Sequence, residues 1–591
     1  MKLFSDIKRR KVIQGVIAYA VAGWLILQLA IALESSLELP SYVDRYVTMA
    51  VIAGFPVAIL VSWLFDISLG GVKAADAASP APTDVTETAP IIEKKPATKN
   101  SIAVLPFVDM SPDKDQGYLG EGVAEEILNA LVQVTPLNVS GRTSSFSFKD
   151  KDVDIKHIGE ALSVMHVLEG SIRKQGNRVR ITAQLIKAND GFHVWSETYD
   201  GDLQDIFDLQ DNIAKAIVEA LELVLDVNQV RLVSKITSSP EAYESYLRGR
   251  KLAQKQDGKG VLKQAIQHLE DAVARDPEFA RAWSVLALAN FWVLEHTVAK
   301  GWKANVEAGK RAAQRAYELD KSSFHSYGAM YLADAMDGRF GDGVDRVHAG
   351  YKLEPNNPIA KFGWATTLGA IGLSEASIAL MSEVIVKDAQ SASLIAVSAH
   401  PHWAMGDIAR TKQILLKAFE LGYSGTGTLY AILLSDDDPK SAISFFRENY
   451  EKLGPMVTKS PIKYKILRYI YEQAVYGRKK WARALSKPIV SGFVMSDKTA
   501  PSNMTGYIPA YFGHTELFFK ALSKKPNPYL QAPLMHIWVP TPESKAIRTH
   551  KDFPQFAQDI GLVQAWQTYG WPKWVTPKPG TDGSNGQFTV T

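Results

Sequence analysis

No cysteine occurs among the 591 residues, which removes disulfides from any account of stability and thiolates from any set of metal ligands. Charge of one sign is missing too: 66 Lys and Arg stand against 63 Asp and Glu, a net +3. That balance supplies no basic field for nucleic acid, and after the first eleven residues the cations read as dispersed. HExxH, GxSxG, Walker A and the kinase HRD and DFG motifs are all absent, so the chemistries they carry are not expected. His400 and His402, flanking Pro401, form a close pair without further ligands and are expected to pack or face solvent. Glu125-Glu126 and Asp436-Asp437-Asp438 read as solvated faces or turns, with nothing around them to shift a pKa. No catalytic residue, metal ligand or cofactor is assigned, and the chain is not expected to be an enzyme.

What the sequence does have, first, is two uncharged apolar runs, Val12 to Leu33 and Val47 to Phe65. As helices they span roughly 33 and 28 Å, close to the ~30 Å hydrocarbon core of a bilayer. The first outruns the ~7–15 apolar residues of a signal peptide and ends in Leu33-Glu34-Ser35-Ser36, without a small-residue cleavage site. Lys2, Lys8, Arg9, Arg10 and Lys11 precede it, against Arg45 alone in the intervening loop, so the positive-inside rule places the N-terminus in the cytoplasm. The expectation is a transmembrane hairpin over residues 1–69, with helices at about 12–33 and 47–65 and the large C-terminal region back in the cytoplasm. Residues 70–100, rich in Pro, Ala and Thr, then read as a flexible linker.

At Ser101 the composition switches to the apolar strand-length run SIAVLPF. A helix from Gly120 to Val134, with Val123, Ile127, Leu128 and Leu131 on one face, leads to a strand at Leu137 to Ser140, a β-α-β opening. Ile155, Ile158 and Leu162 mark a shorter helix. Strands at Met165–Arg173, Arg178–Lys187 and Phe192–Tyr199 follow, joined by turns at Gly176-Asn177 and Asp190-Gly191 into an antiparallel meander. A helix carrying Ile206, Leu209, Ile213, Ile217 and Leu221 closes an α+β domain with a mixed sheet. Gly117-Tyr-Leu-Gly120-Glu-Gly122 lies between strand and helix, where phosphate sites form. Its spacing is not G-x-G-x-x-G, no Walker lysine follows, and Glu121, Glu125 and Glu126 would repel a phosphate. It reads as a plain turn with an acid-rich helix start.

IAVLPFVDMSPDKDQGYLGEGVAEEILNAL, SGRTSSFSFKDKDVDIKHIGEAL, HVLEGSIRKQGNRVRITAQLI and GFHVWSETYDGDLQDIFDLQDNIA together resemble the TolB amino-terminal-like domain, related to the FlgO-like domain. The resemblance implies a bacterial protein and a domain over 101–232. In this family the domain commonly precedes tetratricopeptide repeats, and it implies no catalytic residue. With the apolar runs, it points to the bacterial inner (cytoplasmic) membrane.

The endings ARDPEFARAW, ELDKSSFHSY, KLEPNNPIAK and VKDAQSASLI set Asp276, Asp320, Glu354 and Asp388 in register. The last two spacings are 34, the tetratricopeptide period, and the first is 44, for which a loop inserted around His296 to Lys303 would account. Pro277 and Trp283 stand six apart, as closing Pro and opening Trp do in that family. An all-α tetratricopeptide-type solenoid is expected over 240–440, a C-terminal helical region over 441–578, and a disordered tail over 579–591. The inward positions of each first helix define a protein-binding groove: Ser284, Leu288, Phe291, Trp292, Leu332, Met336, Phe362, Thr366, His400 and Trp403. That groove is filled either by the chain's own C-terminal helices or by a peptide of a partner. The functional expectation is a membrane-anchored scaffold or signalling adaptor binding a protein partner, without nucleic acid. The alternative is a ligand-sensing regulatory subunit for a separate cyclase, kinase or transcription regulator.

Overall fold

The computed structural model describes residues 65–68, 71–74, 97–223, 236–255, 259–296, 302–423, 425–449, 461–495, 508–524 and 530–591. The chain divides into two compact units, residues 1–88 and 89–591. In the first, β1 (Phe65–Ser68) and β2 (Gly71–Ala74) pair antiparallel, with Ser68 opposite Gly71. Phe65, expected to end a membrane helix, therefore lies in a strand, and β2 falls inside the expected linker. The apolar runs before it lie outside the described residues. Among the described residues no helix is long and apolar enough to cross a membrane. The transmembrane hairpin is corrected accordingly, together with the integral-membrane partnership and inner-membrane localisation built on it. Bilayer-length apolarity is a compositional signal, whereas a helical crossing needs continuous helix, and the backbone at Phe65 is already extended and paired.

The second unit opens with β3 (Ser101–Val104), β4 (Val108–Asp109), α1 (Gly117–Val132), β5 (Asn138–Val139), α2 (Arg142–Phe146) and α3 (Ile155–Leu162). The meander β6 (His166–Gln175), β7 (Arg178–Lys187) and β8 (His193–Asp202) follows, then α4 (Ile206–Ala220). The sheet order is β5-β3-β6-β7-β8, with β4 also on β6. β3 runs parallel to β5 and β6, and the meander is antiparallel. All four residues of β3 are buried, as befits a parallel strand covered on both faces. β7 alternates instead: Val179, Ile181, Ala183 and Leu185 join the core shared with α1 and α4, while Arg178 and Arg180 point out. On the opposite face Ile158 and Leu162 of α3 cover Ala103 and Val167.

Antiparallel helix pairs follow: α5 (Pro240–Lys255) with α6 (Lys259–Arg275), α7 (Ala280–His296) with α8 (Trp302–Leu319), α9 (Phe324–Met336) with α10 (Phe340–Leu353), α11 (Pro358–Ala370) with α12 (Ser374–Lys387), and α13 (Ala392–Ala404) with α14 (Ile408–Glu420). From α9 to α14 successive first helices and successive second helices start 34 residues apart, at Phe324, Pro358 and Ala392 and at Phe340, Ser374 and Ile408. Gly338, Gly372 and Gly406 turn the chain within these pairs, each with positive φ (+77, +88 and +86°), a conformation cheap only for glycine. This is a tetratricopeptide-like helical solenoid. The wider first spacing is mostly longer helix rather than inserted loop: α7 and α8 have 17 and 18 residues, α9 and α10 only 13 and 14.

Pairs continue with α15 (Gly425–Leu434) and α16 (Pro439–Asn449), then α17 (Pro461–Val475) and α18 (Lys479–Met495). The C-terminal helices are α19 (Thr515–Lys524), α20 (Gln531–Ile537), α21 (Pro542–Arg548), α22 (Phe553–Asp559) and α23 (Leu562–Tyr569). The tail expected to be disordered is ordered. β9 (Val575–Pro577) pairs antiparallel with β10 (Phe588–Val590), and Phe588 is buried between Trp566 and Trp571, its ring 5.7 and 6.1 Å from theirs. Composition hid this, because one phenylalanine anchors an otherwise polar segment.

Candidate protein-interaction surface

The first N–H groups of any helix lack intrahelical partners, and the acids that mark the repeat period accept hydrogen bonds from backbone N–H groups at helix starts and turns. Asp276 accepts from the Glu278 N–H at 3.0 Å and Asp320 from the Ser322 N–H at 2.8 Å, both locally. Glu354, at the end of α10, reaches back to the Phe324 N–H that starts α9 of the same pair at 2.6 Å. Asp388 leaves the solenoid and accepts from the Ser144 N–H of α2 at 2.6 Å, while Ser144 Oγ accepts from the Gln390 N–H at 2.7 Å. One and the same periodic position thus fixes turns, once closes its own helix pair and once ties the solenoid to the sheet domain.

The ten groove residues do not share one open face. Ser284, Phe291, Met336, Thr366 and Trp403 are buried, whereas Leu288, Trp292, Leu332, Phe362 and His400 are half-buried. Phe291 faces into its own pair, where a Cβ on Gly309 of α8 would come within 2.9 Å of its ring. The Ser284 and Thr366 hydroxyls donate to carbonyls of their own helices, at Ala280 and Gly363. Trp292 and Leu332 pack at the margin of the core that continues from the sheet domain to Met336. His400 and Trp403 lie against α20, the Trp403 and His536 rings 5.4 Å apart and the His400 and His536 rings 6.4 Å. Burial lowers His400 to about 4, and burial together with His400 lowers His536 to about 3, so both imidazoles are neutral at pH 7. The Trp538 indole donates to the Ala370 carbonyl at 2.7 Å, the Trp566 indole to that of Ile371 at 2.9 Å, and the Gln531 amide to Thr367 Oγ1 at 2.9 Å. The chain's own C-terminal segment therefore covers α11 and α13. The sequence does not single out these residues by any periodicity; the available signal was the density of Trp and Phe from Trp538 onward.

A second junction joins the sheet domain to the first pairs. Ile127 and Leu131 of α1 face the sheet core, and the polar stripe opposite, which an isolated domain would leave in water, is covered by α5 and α7. Glu125 meets Arg142 at 2.6 Å and Arg250 at 3.2 Å; Glu126 meets Arg281 at 2.8 Å; Glu121 meets Lys149 at 2.6 Å and Lys251 at 3.1 Å. Burial alone would raise the Glu125 carboxyl, but the Arg250 and Arg142 guanidiniums beside it hold it below the ordinary carboxylate range. Glu121 follows the same pattern, with Lys149 and Lys251 outweighing burial. The reading of Glu125-Glu126 as a solvated pair is thus corrected, since their partners come from segments 17 to 155 residues away. The glycine-rich stretch is the first turns of α1 itself. A Cβ on Gly120 would come within 2.3 Å of the Phe107 carbonyl oxygen, and one on Gly122 within 2.7 Å of the Leu247 side chain. These glycines allow close helix packing in a place where the carboxylates leave no room for phosphate.

Among the described residues no group of His, Cys, Asp or Glu is arranged to hold a metal ion. The arrangement defines a helical-repeat protein in which α5 and α7 pack against its own sheet domain and α11 and α13 against its own C-terminal segment. Residues 98–216 match a family profile described as the second domain of HilA/YgeH-like transcriptional regulators. A protein of Rhizobium meliloti (strain 1021) named "Putative adenylate cyclase 3" is 39% identical over 220 residues, which cover 36% of this chain and 37% of that protein. The chain thus spans little more than a third of that relative's length. The crystal structure of the P58(IPK) TPR domain matches at 13% identity over 56% of this chain and 93% of that one, with a TM-score of 0.18. A likeness at that score carries no argument, and the repeat assignment rests on the helix pairs themselves.

Proposed function

We propose that the chain is a scaffold or signalling adaptor that binds a protein partner through its solenoid. Its parts would be a TolB amino-terminal-like domain over 101–232, repeats over 240–440 and a helical region over 441–578. The half-buried groove residues Leu288, Trp292, Leu332 and Phe362 are the candidate contacts. The observation that carries this reading is the stack of helix pairs, those from α9 to α14 at a 34-residue step, an architecture that presents long continuous side-chain faces to other proteins. The test is site-specific photocrosslinking in cells, with a photoreactive phenylalanine analogue at positions 292, 332 and 362 and at several exposed helix positions. A discrete protein adduct at one or more positions is expected, and none at any position refutes the reading.

A second reading, a ligand-sensing regulatory subunit acting on a separate cyclase, kinase or transcription regulator, draws support from the similarity to a protein named as a putative adenylate cyclase and to a regulator family. A thermal-shift screen of the full chain against nucleotides and metabolites tests it, because a ligand that binds the native state raises the melting temperature. No shift with any compound counts against it.

A further inference from the structure

The sheet ends differently at its two edges. β5, at one edge, is two residues long, and so short a strand offers a newcomer little to pair with. β8, at the other, runs ten residues, as long as β7 beside it, and among the described residues no strand lies on its outer side. Edges of that length are ordinarily blunted by Lys, by Pro or by a bulge. β8 holds no Lys, Arg or Pro, and its one irregularity falls at its first residues, opposite Leu185 and Ile186. Ser196, Glu197, Thr198 and Asp200 are all exposed. The ladder fixes which backbone groups point outward. The Leu203 N–H donates to the Asn177 carbonyl at 2.8 Å, so these two form a hydrogen-bonded pair, and by alternation so do Val179 with Gly201, Ile181 with Tyr199 and Ala183 with Glu197. The N–H and C=O groups of Ser196, Thr198 and Asp200 therefore face away from β7, a template for one more strand.

We propose that the occupant of this edge is β8 of a second copy of the chain, laid antiparallel about a two-fold axis at Thr198, so that two sheets join into one. The proposal goes beyond the scaffold reading and does not depend on it. A strand that pairs with its own copy does so about a dyad, and the two fullest registers of β8 on itself are centred on Glu197 and on Thr198. The first sets the Glu197 carboxylate directly opposite its own copy, which is destabilising. The second sets Ser196 opposite Asp200 and Glu197 opposite Tyr199, with no acid facing an acid. It also sets Trp195 opposite Gly201, where an indole covers the gap that a glycine leaves. Asp200 brings little free charge to the seam, because Arg180 of β7 holds it with two bonds of 2.8 and 3.0 Å.

The chain has no cysteine, so single cysteines report the seam directly. Facing residues of a hydrogen-bonded antiparallel pair have Cα atoms about 5.5 Å apart, within the ~4.4–6.8 Å that a disulfide spans. Full-length Thr198→Cys protein should therefore become a covalent dimer on mild oxidation. Ser196→Cys should not, because its two copies would stand four residues of strand apart, about 13 Å. Sedimentation of the unaltered full-length protein should give twice the 65.1 kDa chain mass. Thr198→Pro removes the outward donor at the dyad, and an edge strand tolerates a proline whose missing N–H faces solvent, so a folded monomer is expected, with circular dichroism unchanged. Should proline loosen β8 itself, Thr198→Lys decides by the same readout, since it sets two ammonium groups face to face. Thr198→Val should stay dimeric, because the seam is made of backbone. A monomeric unaltered protein, a disulfide at 196 as readily as at 198, or a dimer that survives both Thr198→Pro and Thr198→Lys overturns the proposal.

Discussion

Replacing Trp538 tests whether the C-terminal segment is a fixed part of the solenoid. Its indole is fully buried, donates to the Ala370 carbonyl at 2.7 Å, and stands edge-on to Trp566 with ring centroids 6.0 Å apart. Ala370 ends α11, so this carbonyl has no intrahelical donor of its own. Trp538→Phe keeps most of the apolar volume and leaves that carbonyl unpaired, a cost of about 1–3 kcal/mol. Trp538→Ala adds a cavity and should cost about 3–5 kcal/mol. The assay is hydrogen exchange read by mass spectrometry on peptides from 530–569. Phenylalanine should speed exchange there roughly 5- to 150-fold and alanine more, while peptides from the 101–220 sheet domain stay unchanged because exchange follows local opening. Trp538→Phe combined with Trp566→Phe should be non-additive, as the two indoles serve consecutive carbonyls of one helix end. If Trp538→Ala leaves exchange in 530–569 unaltered, the C-terminal helices are not held on α11.

Arg281→Ala should destabilise by about 3 kcal/mol, because it leaves the buried Glu126 carboxylate with Arg250 at 3.6 Å as its remaining ion-pair partner; an unchanged melting temperature would refute a coupled junction. A Cβ at position 141 would lie 2.5 Å from that of Asp388, so Gly141→Ala should raise hydrogen exchange in 142–148, whereas Gly260→Ala, with open space around it, should be neutral or stabilise by up to about 1 kcal/mol. His400 and His536 have folded pKa values of about 4 and about 3, below the unfolded 6.5. The folded state then binds fewer protons, so their contribution is complete above about pH 6.5 and is lost as pH falls toward 4, on the order of 3 kcal/mol for His400. The fall in melting temperature between about pH 7 and 5 should therefore shrink in His400→Phe, and an undiminished fall would refute the buried neutral pair.

Elements whose signal is local were legible from the residues. The alternation of Val179, Ile181, Ala183 and Leu185 placed β7, and Ile155, Ile158 and Leu162 placed α3, because a strand of period two or a helix of period 3.6 writes its buried face directly into neighbouring positions. The 34-residue step was readable for the same reason, since each pair repeats its own turn and its own capping acid. The apolar length of the run ending at Phe65 misled where Phe65 lies in a strand, because length measures transfer out of water and says nothing of whether the backbone is helical or extended. The eight Lys and Arg of the α17–α18 pair, against Glu472 alone, were passed over because they vanish into a chain-wide balance of +3.

The sequence by itself determined which faces are apolar, where chain turns fall and that helix pairs stack, all properties of residues within a few turns of one another. Tertiary structure alone decided what covers those faces. It buried the acidic stripe of α1 under Arg250 and Arg281, sent Asp388 to cap a helix 244 residues earlier, and laid Trp538 and Trp566 on the end of α11. A carboxylate is equally at home in water or beside a guanidinium, and an indole in its own helix pair or a distant one. The choice is made by partners far along the chain, brought near only once the chain has folded.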